Sequence, residues 1–390
     1  MASVLLNNAK NLVDLIRDTY GSGIIPLHRP VFEGNERKNL VECVDSNFVS
    51  SVGENVKKFE QIIANFTGIN NGVATVNGTS ALHIALLVSG VKNGEEVISQ
   101  ALTFVATCNA ISYCGANPIF IDVDRDTMGL SPKALESWLS ENIELCDGQS
   151  YNRLTGARVA ACVPMHTFGF PLRIAEVKEV CEAFGITVIE DAAESLGSYV
   201  GNRHTGTFGE IATLSFNGNK IITTGGGGMV LSNDDKLANK AFHLSTTAKV
   251  PHPYEFVHDE VGYNYRLPNL NATLGCAQME HLNAMLEIKA DIAAKYRTFC
   301  SENDLQIVDG IEGAKPNYWL NAIILKSSKE RDEFLNYMNE KKIMSRPIWR
   351  LMNRLEMFKS CQSDDLKNSR WLEDRVVNIP SSVPENSLQT

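Results

Sequence analysis

The sequence lacks long hydrophobic runs and an excess of basic residues. No stretch approaches the roughly 18 apolar residues that a membrane span needs, and Asn, Lys and Asp interrupt the apolar residues of the first 20 positions. The 390 residues carry a formal net charge of -10, which gives no general attraction to phosphate backbones. We therefore expect no membrane span and no nucleic-acid partner, and we expect the protein to work in the cytoplasm.

Paired cysteines and nucleotide-binding glycine motifs are also missing. The nine cysteines are dispersed, and none lies in a CxxC pair of the kind that zinc and redox sites use. Reduced, partly buried thiols and no metal site are therefore expected. The absence of GxxxxGK[ST] excludes a Walker lysine, and the absence of a GxGxxG opening argues against a dinucleotide-binding dehydrogenase.

Short β-branched runs alternate with longer helical patterns from about residue 73 to about residue 233. This alternation is typical of an α/β fold with a mainly parallel central sheet covered by helices. Ligands are expected at the carboxyl ends of such strands. The predicted strands are VATVN, EEVISQ, NPIFIDVD, RVAACVPMH, TVIEDAA, ATLSFN and GGMVLSN.

After about Arg266 the pattern changes to long helical segments followed by strand candidates near YWLNAIIL. Pro268 makes the residue before it a boundary, because proline restricts the backbone of its predecessor. The sequence thus predicts an N-terminal helical arm (1–25), a large α/β domain (26–265) and a smaller C-terminal α+β domain (266–390).

The turn Asn77-Gly78-Thr79-Ser80 joins a predicted strand to a predicted helix. Small residues at a helix N-terminus present free backbone N–H groups and the positive end of the helix dipole, and both suit a phosphate. The same residues also make an ordinary helix start, so the motif alone leaves both interpretations open.

Glu190 and Asp191 stand at the end of the apolar strand TVIEDAA. A carboxylate at the tip of a buried strand needs a partner, because an unpaired buried charge is costly. A protonated heterocyclic nitrogen would serve, and so would the backbone N–H groups of a neighbouring loop.

Lys220 follows the strand that ends near Phe216, and the four glycines Gly225 to Gly228 come next. A lysine at a strand tip is usually a solvated charge, but four glycines weaken regular structure and suggest a close approach of the backbone to a bound group. A desolvated lysine amine can bond covalently to carbonyl compounds.

These three features occur in the order phosphate turn, strand-end aspartate, strand-end lysine within one α/β unit. Pyridoxal phosphate needs all three: donors for its phosphate, a carboxylate that keeps its ring nitrogen protonated, and an amine for its aldehyde. The sequence therefore predicts a pyridoxal-phosphate enzyme in which Lys220 and Asp191 carry the chemistry.

The strings NGTSAL, ALTFVAT, EDAAESLG, SFNGNKIITTGGGGM and GYNYRLPNLNATLG resemble the sugar-nucleotide aminotransferases of the DegT/DnrJ/StrS family. The resemblance runs from IPLHRPVFEGNE to MSRPIWRLMN. It implies a fold-type I pyridoxal-phosphate-dependent aminotransferase. FVSSVGENVKKFE and FNGNKIITTGGGG look closest to the subgroup that acts at C4 of UDP-linked 4-keto-6-deoxy-N-acetylhexosamines, on routes to bacillosamine- or legionaminic-type sugars.

The resemblance also implies roles for individual residues. Lys220 bonds to the aldehyde, Asp191 pairs with the ring nitrogen and Phe104 stacks on the ring. Asn264 reaches the phosphate of the other subunit, so an obligate homodimer with shared active sites is expected. The remaining phosphate contacts fall to Gly78, Thr79 and Ser215.

For four further residues the sequence leaves more than one role open. His166, Arg266 and Arg346 are predicted to bind substrate, although a strand-end histidine is often structural and either arginine could belong to a surface ion pair. Glu194 stands where many relatives carry Gln or His, near the cofactor's phenolic oxygen. A carboxylate there would repel that oxygen unless it is protonated or hydrogen-bonded.

The predicted reaction is a ping-pong transfer of the amino group of L-glutamate, by way of pyridoxamine phosphate, to C4 of a UDP-linked 4-keto-6-deoxy sugar. GDP-4-keto-6-deoxymannose, the perosamine-type substrate, is the alternative. A catalytically silent cofactor-binding protein is a further alternative, and a related dehydratase is disfavoured because Lys220 is present.

Overall fold

A computed structural model describes residues 2–388, with side chains from Asn7 onward. Its main sheet has seven strands in the order β1-β7-β6-β5-β4-β2-β3. They coincide with the seven predicted strands, which confirms the α/β prediction. Their bounds are β1 Asn71–Thr75, β2 Glu96–Gln100, β3 Asn117–Ile121, β4 Val159–Val163, β5 Thr187–Asp191, β6 Ile211–Ser215 and β7 Gly228–Ser232.

The main sheet is parallel except for β7, which runs antiparallel to both of its neighbours. Its strands read as continuous apolar runs because both faces are covered. Val97 and Ile98, adjacent in β2, belong to two different core clusters on opposite faces of the sheet. Parallel pairing of β5 with β6 sets Asp191 opposite Thr213, so both strands end at the same edge.

Twelve α-helices lie around the sheets in residues 2–388. Side chains at the helix starts fix several of them: Asn77 accepts a hydrogen bond from Ser80 N at the start of α4, and Ser131 precedes a first-turn proline in α6. None of the described helices is long and apolar enough to cross a membrane. Their bounds are α1 Ala2–Tyr20, α2 Glu36–Asp45, α3 Glu54–Thr67, α4 Gly78–Val88, α5 Val105–Tyr113, α6 Pro132–Asn142, α7 Ile174–Ala183, α8 Asp235–Ser245, α9 Asn269–Met279, α10 Leu282–Glu302, α11 Ser328–Glu340 and α12 Lys367–Glu373.

A second, antiparallel sheet is built from the C-terminal part of the chain, in the order β8-β9-β11-β10. Helix α1 packs against α11 beside this sheet, and its Leu12 and Ile16 share a core with Phe334 and Val377. The predicted N-terminal helix is therefore joined to the C-terminal sheet, while the predicted domain boundaries stay predictions. The strands are β8 Gln306–Ile307, β9 Asn321–Ile324, β10 Arg346–Pro347 and β11 Val376–Ile379.

The chain also forms small β-ladders outside these two sheets. Ile143–Cys146 pairs with Gln149–Asn152, and Lys249–Val250 pairs with Val257–His258. A three-stranded ladder joins Tyr199–Val200, Arg203–His204 and Ala314–Lys315. The long helical pattern expected after residue 270 is divided into α9 and α10 at residues 280 and 281.

Lys289 of α10 is buried without a carboxylate partner among the described residues. Its Nζ donates to Trp319 O at 3.2 Å and to Ser381 O. Burial lowers the pKa of the Lys289 amine to about 7. The amine thus joins α10 to two C-terminal segments as a hydrogen-bond donor that is readily neutralised.

Replacing Lys289 by Met tests this buried amine. The unfolded chain binds more protons than the folded chain between the folded pKa near 7 and the ordinary value of 10.5, so the wild type gains stability as the pH rises. We expect the melting temperature of the wild type minus that of Lys289→Met to rise by about 1–2 °C per pH unit from about pH 7 to about pH 8.5. Calorimetry of both proteins measures it.

Lys295→Met is the matched control, because Lys295 is exposed on the same helix. The melting-temperature difference for that variant should not change with pH. A difference for Lys289→Met that is equally constant would contradict the assignment.

Candidate active site

A cavity of about 610 Å³ opens at the edge of the main sheet where β5 and β6 end. Its volume is in the range of small-molecule sites. Walls come from the loops after the main-sheet strands and from the C-terminal sheet. Eight of the predicted site residues line it: Gly78, Thr79, Phe104, Asp191, Glu194, Ser215, Lys220 and Arg346.

One end of the cavity is the N-terminus of α4. Asn77 Oδ1 accepts from Ser80 N at 2.7 Å, and the first amides of the helix, those of Gly78 and Thr79, have no partner within the helix. A Cβ on Gly78 would lie 2.9 Å from Ser215 Cβ, so only glycine lets the Ser215 hydroxyl approach these amides. This cradle of amides and hydroxyl fits a phosphate.

The glycine run shapes the same cradle. A Cβ on Gly228 would lie 2.4 Å from Asn77 O and 2.7 Å from Gly78 N, both backbone atoms. Gly225 adopts a φ of +79°, which glycine alone tolerates easily. From the sequence, the glycines were expected to let the backbone come close to a bound group. In the structure, Gly228 instead lets its strand come close to the backbone of the phosphate turn at Asn77 and Gly78.

Asp191 stands at the end of β5 and is 2% exposed. Its Oδ2 accepts from Thr107 Oγ1 at 2.7 Å and its Oδ1 from Ala193 N at 3.2 Å. Burial raises the pKa of its carboxyl group. No cationic side chain of the described chain lies within ion-pair distance of it, so a protonated ring nitrogen in the cavity would supply the missing charge partner.

Lys220 lies in the loop after β6, with its side chain 12% exposed. Its Nζ is 3.1 Å from Glu194 Oε1 and 4.1 Å from the ring centroid of Trp319. Trp319 Nε1 donates to Asn219 O at 2.7 Å. The amine therefore lies in a partly desolvated position between a carboxylate and an aromatic face.

Sequence reasoning missed the aromatic walls. Trp319, Trp349 and Phe168 line the cavity, and the rings of Phe168 and Trp349 lie 4.8 Å apart between centroids. Phe104 is 6.1 Å from Trp349 and is half-exposed, so its face is available for stacking. The two tryptophans lie in the strings YWLN and PIWR. An aromatic residue in an apolar string of this kind usually belongs to the hydrophobic core, so nothing in the sequence indicated that either one lies at the site.

The structure places His166 outside the cavity, so its predicted role in substrate binding has no support here and stays a prediction. The side chain is fully buried and outside the cavity. Its Nδ1 accepts from Leu172 N at 3.3 Å, which leaves Nε2 to donate to Glu190 Oε2 at 3.1 Å. Glu190 also accepts from Gly206 N, at 2.8 Å, so this pair organises the loop behind the site.

Arg266 also lies outside the cavity, so its predicted role in substrate binding stays a prediction. Arg266 forms a two-point ion pair with Glu60 and donates to Ala74 O at 3.1 Å. The pair is largely shielded from solvent, with the Arg266 and Glu60 side chains 7% and 14% exposed. Asn264 is exposed and outside this cavity, so its contact with another subunit stays a prediction.

The phosphate cradle, the buried carboxylate and the desolvated amine meet in one cavity. These are the groups that hold the phosphate, ring nitrogen and aldehyde of pyridoxal phosphate, and the sheet is that of the fold-type I enzymes that use this cofactor. The site residues therefore fit pyridoxal phosphate, as the sequence predicted.

Residues 31–386 match the profile of the DegT/DnrJ/EryC1/StrS aminotransferase family, and the chain belongs to that family. It is 34% identical over 361 residues to the GDP-perosamine synthase of Vibrio cholerae, covering 92% of this chain and 94% of the relative. The structure resembles the aminotransferase TlmJ from Streptoalloteichus hindustanus with a TM-score of 0.84 and 23% identity, and the match covers 94% of this chain and 96% of that one. It also resembles the PLP form of the putative sugar aminotransferase Spr1654 from Streptococcus pneumoniae with a TM-score of 0.82 and 19% identity, again covering 94% and 96% of the two chains.

The protein is thus a pyridoxal-phosphate-dependent sugar aminotransferase, as predicted. The finer prediction of a UDP-sugar subgroup is not supported, because the curated relatives found at 33–34% identity carry the name GDP-perosamine synthase.

Gly228→Ala tests the backbone contact beneath the phosphate turn. The added methyl group would push Asn77 and Gly78 out of place, and we expect the affinity for pyridoxal phosphate to fall at least about tenfold, the size of a 1–3 kcal/mol overpacking strain. Titration followed by absorbance measures it. Gly226→Ala is the matched control, since its Cβ would come no closer than 3.5 Å to Val76 O. Equal affinities for the two variants would contradict the contact's role.

Proposed function

We propose that this aminotransferase moves the amino group of L-glutamate to C4 of a nucleotide-linked 4-keto-6-deoxy sugar, and that the sugar is GDP-linked. The cavity supports the transfer because it unites Lys220, Asp191 and the α4 N-terminus. Three curated relatives with the name GDP-perosamine synthase favour the GDP-linked substrate over the UDP-linked one predicted from the sequence. A fourth relative, 36% identical, has a name that specifies no sugar.

Each residue has a separate task in this proposal. When bound, pyridoxal phosphate supplies the electron sink for a carbanion at the donor carbon. Lys220 would hold the cofactor through its aldehyde, with water leaving as that bond forms, and its amine would carry a proton between two carbons during transfer. Asp191 holds the proton of the ring nitrogen. Gly78 and Ser215 bind the phosphate, and Phe104 stacks on the ring.

Two arginines at the cavity wall support an anionic substrate. Arg346 and Arg350 both line the cavity and are exposed, and neither has a carboxylate within ion-pair distance among the described side chains. Arg346 Nη1 donates to Ser345 O at 3.2 Å, which orients it. In a ping-pong cycle the same guanidinium groups would bind the carboxylates of glutamate and then the diphosphate of the nucleotide sugar.

The function can be tested with two substrates. The enzyme is first converted to the pyridoxamine form with L-glutamate and then offered GDP-4-keto-6-deoxymannose or UDP-2-acetamido-2,6-dideoxy-4-ketohexose. We expect the GDP-linked sugar to restore the pyridoxal absorbance at least about tenfold faster, a difference of about 1.4 kcal/mol. A faster reaction with the UDP-linked sugar would reverse the nucleotide assignment, and no reaction with either would refute the sugar assignment.

Lys220→Ala is the control for chemistry at the lysine. It should bind pyridoxal phosphate without a bond that borohydride can reduce onto the chain. Turnover by this variant would refute the role given to Lys220.

We also propose a homodimer that acts in the cytoplasm. Exposed apolar side chains occur on the hairpin around Lys249–His258 and beside Asn264, including Phe256 and Val261, each 81% exposed, and a second group lies within residues 41–52. Apolar surface of this kind often marks a protein interface. Asn264, at the base of the hairpin, would then reach the phosphate of the partner.

Val261→Asp tests this dimer. A charge placed in an apolar interface is costly to desolvate, so we expect the dimer dissociation constant to rise at least about tenfold. Light scattering across protein concentrations measures it. Leu154→Asp is the control, because Leu154 is 77% exposed on a separate loop. A monomeric wild type, or equal dissociation constants for the two variants, would contradict the proposal.

A further inference from the structure

Glu194 differs from the other groups in the cavity because it touches the reactive amine directly. It is 3% exposed. Its two oxygens have different partners: Oε2 accepts from Phe168 N at 2.8 Å, and Oε1 lies 3.1 Å from Lys220 Nζ. One oxygen is thus fixed by the backbone, and the other is aimed at the lysine.

The loop that carries Glu194 is held in place from two sides. Asn317 Nδ2 donates to Glu194 O at 2.8 Å and to Leu196 O at 2.9 Å. Phe168 has a φ of +57°, a conformation that is unusual for a bulky residue and that points its amide at Glu194. The carboxylate is therefore preorganised, with little freedom to leave the lysine.

No other carboxylate of the described chain contacts Lys220. Trp319 covers Nζ on a second side, and the attraction of its ring for a cation adds to that of Glu194. Asp191 shares the cavity, but its oxygens bond to Thr107 and Ala193. Glu194 is thus the carboxylate placed to interact with a charge on Nζ.

The pKa of the Glu194 carboxyl group is raised to about 7, mainly by burial, while the charge of Lys220 and the Phe168 amide oppose the rise and the Asp191 charge adds a smaller increase. The other ionisable groups around this pair are the guanidinium groups of Arg346 and Arg350 at the cavity wall, with His28 and Lys289 on the far side of Trp319. Glu194 is consequently charged above about pH 7 and becomes neutral as the pH falls through that value.

We propose that the Glu194 carboxylate stabilises the ammonium group that Lys220 becomes when it takes a proton from the donor carbon. In that step the C–H bond breaks, its electron pair stays on the carbon, and the proton forms a new N–H bond at Nζ. Lys220 then releases the same proton to the acceptor carbon and is neutral again. A fixed negative charge beside Nζ favours the charged state without any reorganisation. The inference rests on the proposed aminotransferase chemistry but not on the identity of the sugar.

The pH dependence of the glutamate half-reaction tests this role. In the wild type, the rate should fall as the pH drops through about 7 because Glu194 is then protonated. The variant Glu194→Gln can still accept a hydrogen bond from Phe168 N, but its rate should no longer fall as the pH drops through about 7. Its rate at about pH 8 should be about 10- to 100-fold lower than that of the wild type, because a charge contact of this kind is worth about 1–2 pKa units. Absorbance in stopped flow measures both.

A second readout needs neither cofactor nor sugar. Reductive methylation of the cofactor-free full chain with formaldehyde and cyanoborohydride, followed by peptide mass spectrometry, gives the labelling of Lys220 at each pH. Loss of the contacting charge in Glu194→Gln should move the labelling midpoint about 1–2 pH units lower, and Glu194→Asp, which keeps the charge, should recover part of that shift. Exposed Lys295, labelled in the same samples, should not move.

The outcomes separate this inference from the proposed function. An unchanged midpoint in Glu194→Gln, or equal shifts in the Gln and Asp variants, would overturn the role of the charge even if both sugars are aminated. Failure of both sugars alongside the expected midpoint shift would instead refute the sugar assignment alone. Circular dichroism establishes that both variants are folded.

Discussion

The parallel pairing of β5 with β6 is the constraint on which the site depends. It places the last residue of β5, Asp191, opposite Thr213 of β6, and the loop that follows β6 carries Lys220. A carboxylate and an amine from sequence positions 29 residues apart (220 − 191) thereby face one cavity. Everything else at the site, from the α4 cradle to the tryptophan walls, is arranged around this edge of the sheet.

The main sheet was readable from the sequence because each buried strand is a short β-branched run bounded by turn residues. The direction of β7 could not be predicted from the sequence, because an antiparallel strand in such a sheet has the same composition as a parallel one. Asp191, Lys220 and the turn at Gly78 could be predicted to share a cavity because strand ends and a helix start carry their own local signals. The other predicted residues that line the cavity came from the family resemblance. His166 and Arg266 lie outside the cavity, and their partners Glu190 and Glu60 could not be read locally because they are distant in sequence. Trp319 was missed because nothing local marks an aromatic residue that will face a lysine.

Two buried ionisable side chains of the described residues, Asp191 and Lys289, lack the ion pairs that would offset their desolvation. Asp191 has no cation within ion-pair distance, and Lys289 has only carbonyl partners. Glu194 has one ion-pair partner, the Lys220 amine. Arg266 and Glu60, in contrast, form an ion pair with each other outside the cavity. Incomplete pairing of this kind is costly to folding and is typical of residues kept for chemistry. The Glu194 carboxylate is held by a backbone amide and a lysine, which offset part of the cost of burying it.

The contact between Trp319 and Lys220 joins the two sheets into one functional unit. A shortened chain that stopped before residue 317 would keep the phosphate turn, Asp191 and Lys220, but water would replace the indole on one side of the amine. The large sheet could still capture an aldehyde, yet its lysine would be an ordinary solvated one. The smallest catalytic version of this fold must therefore include the C-terminal sheet.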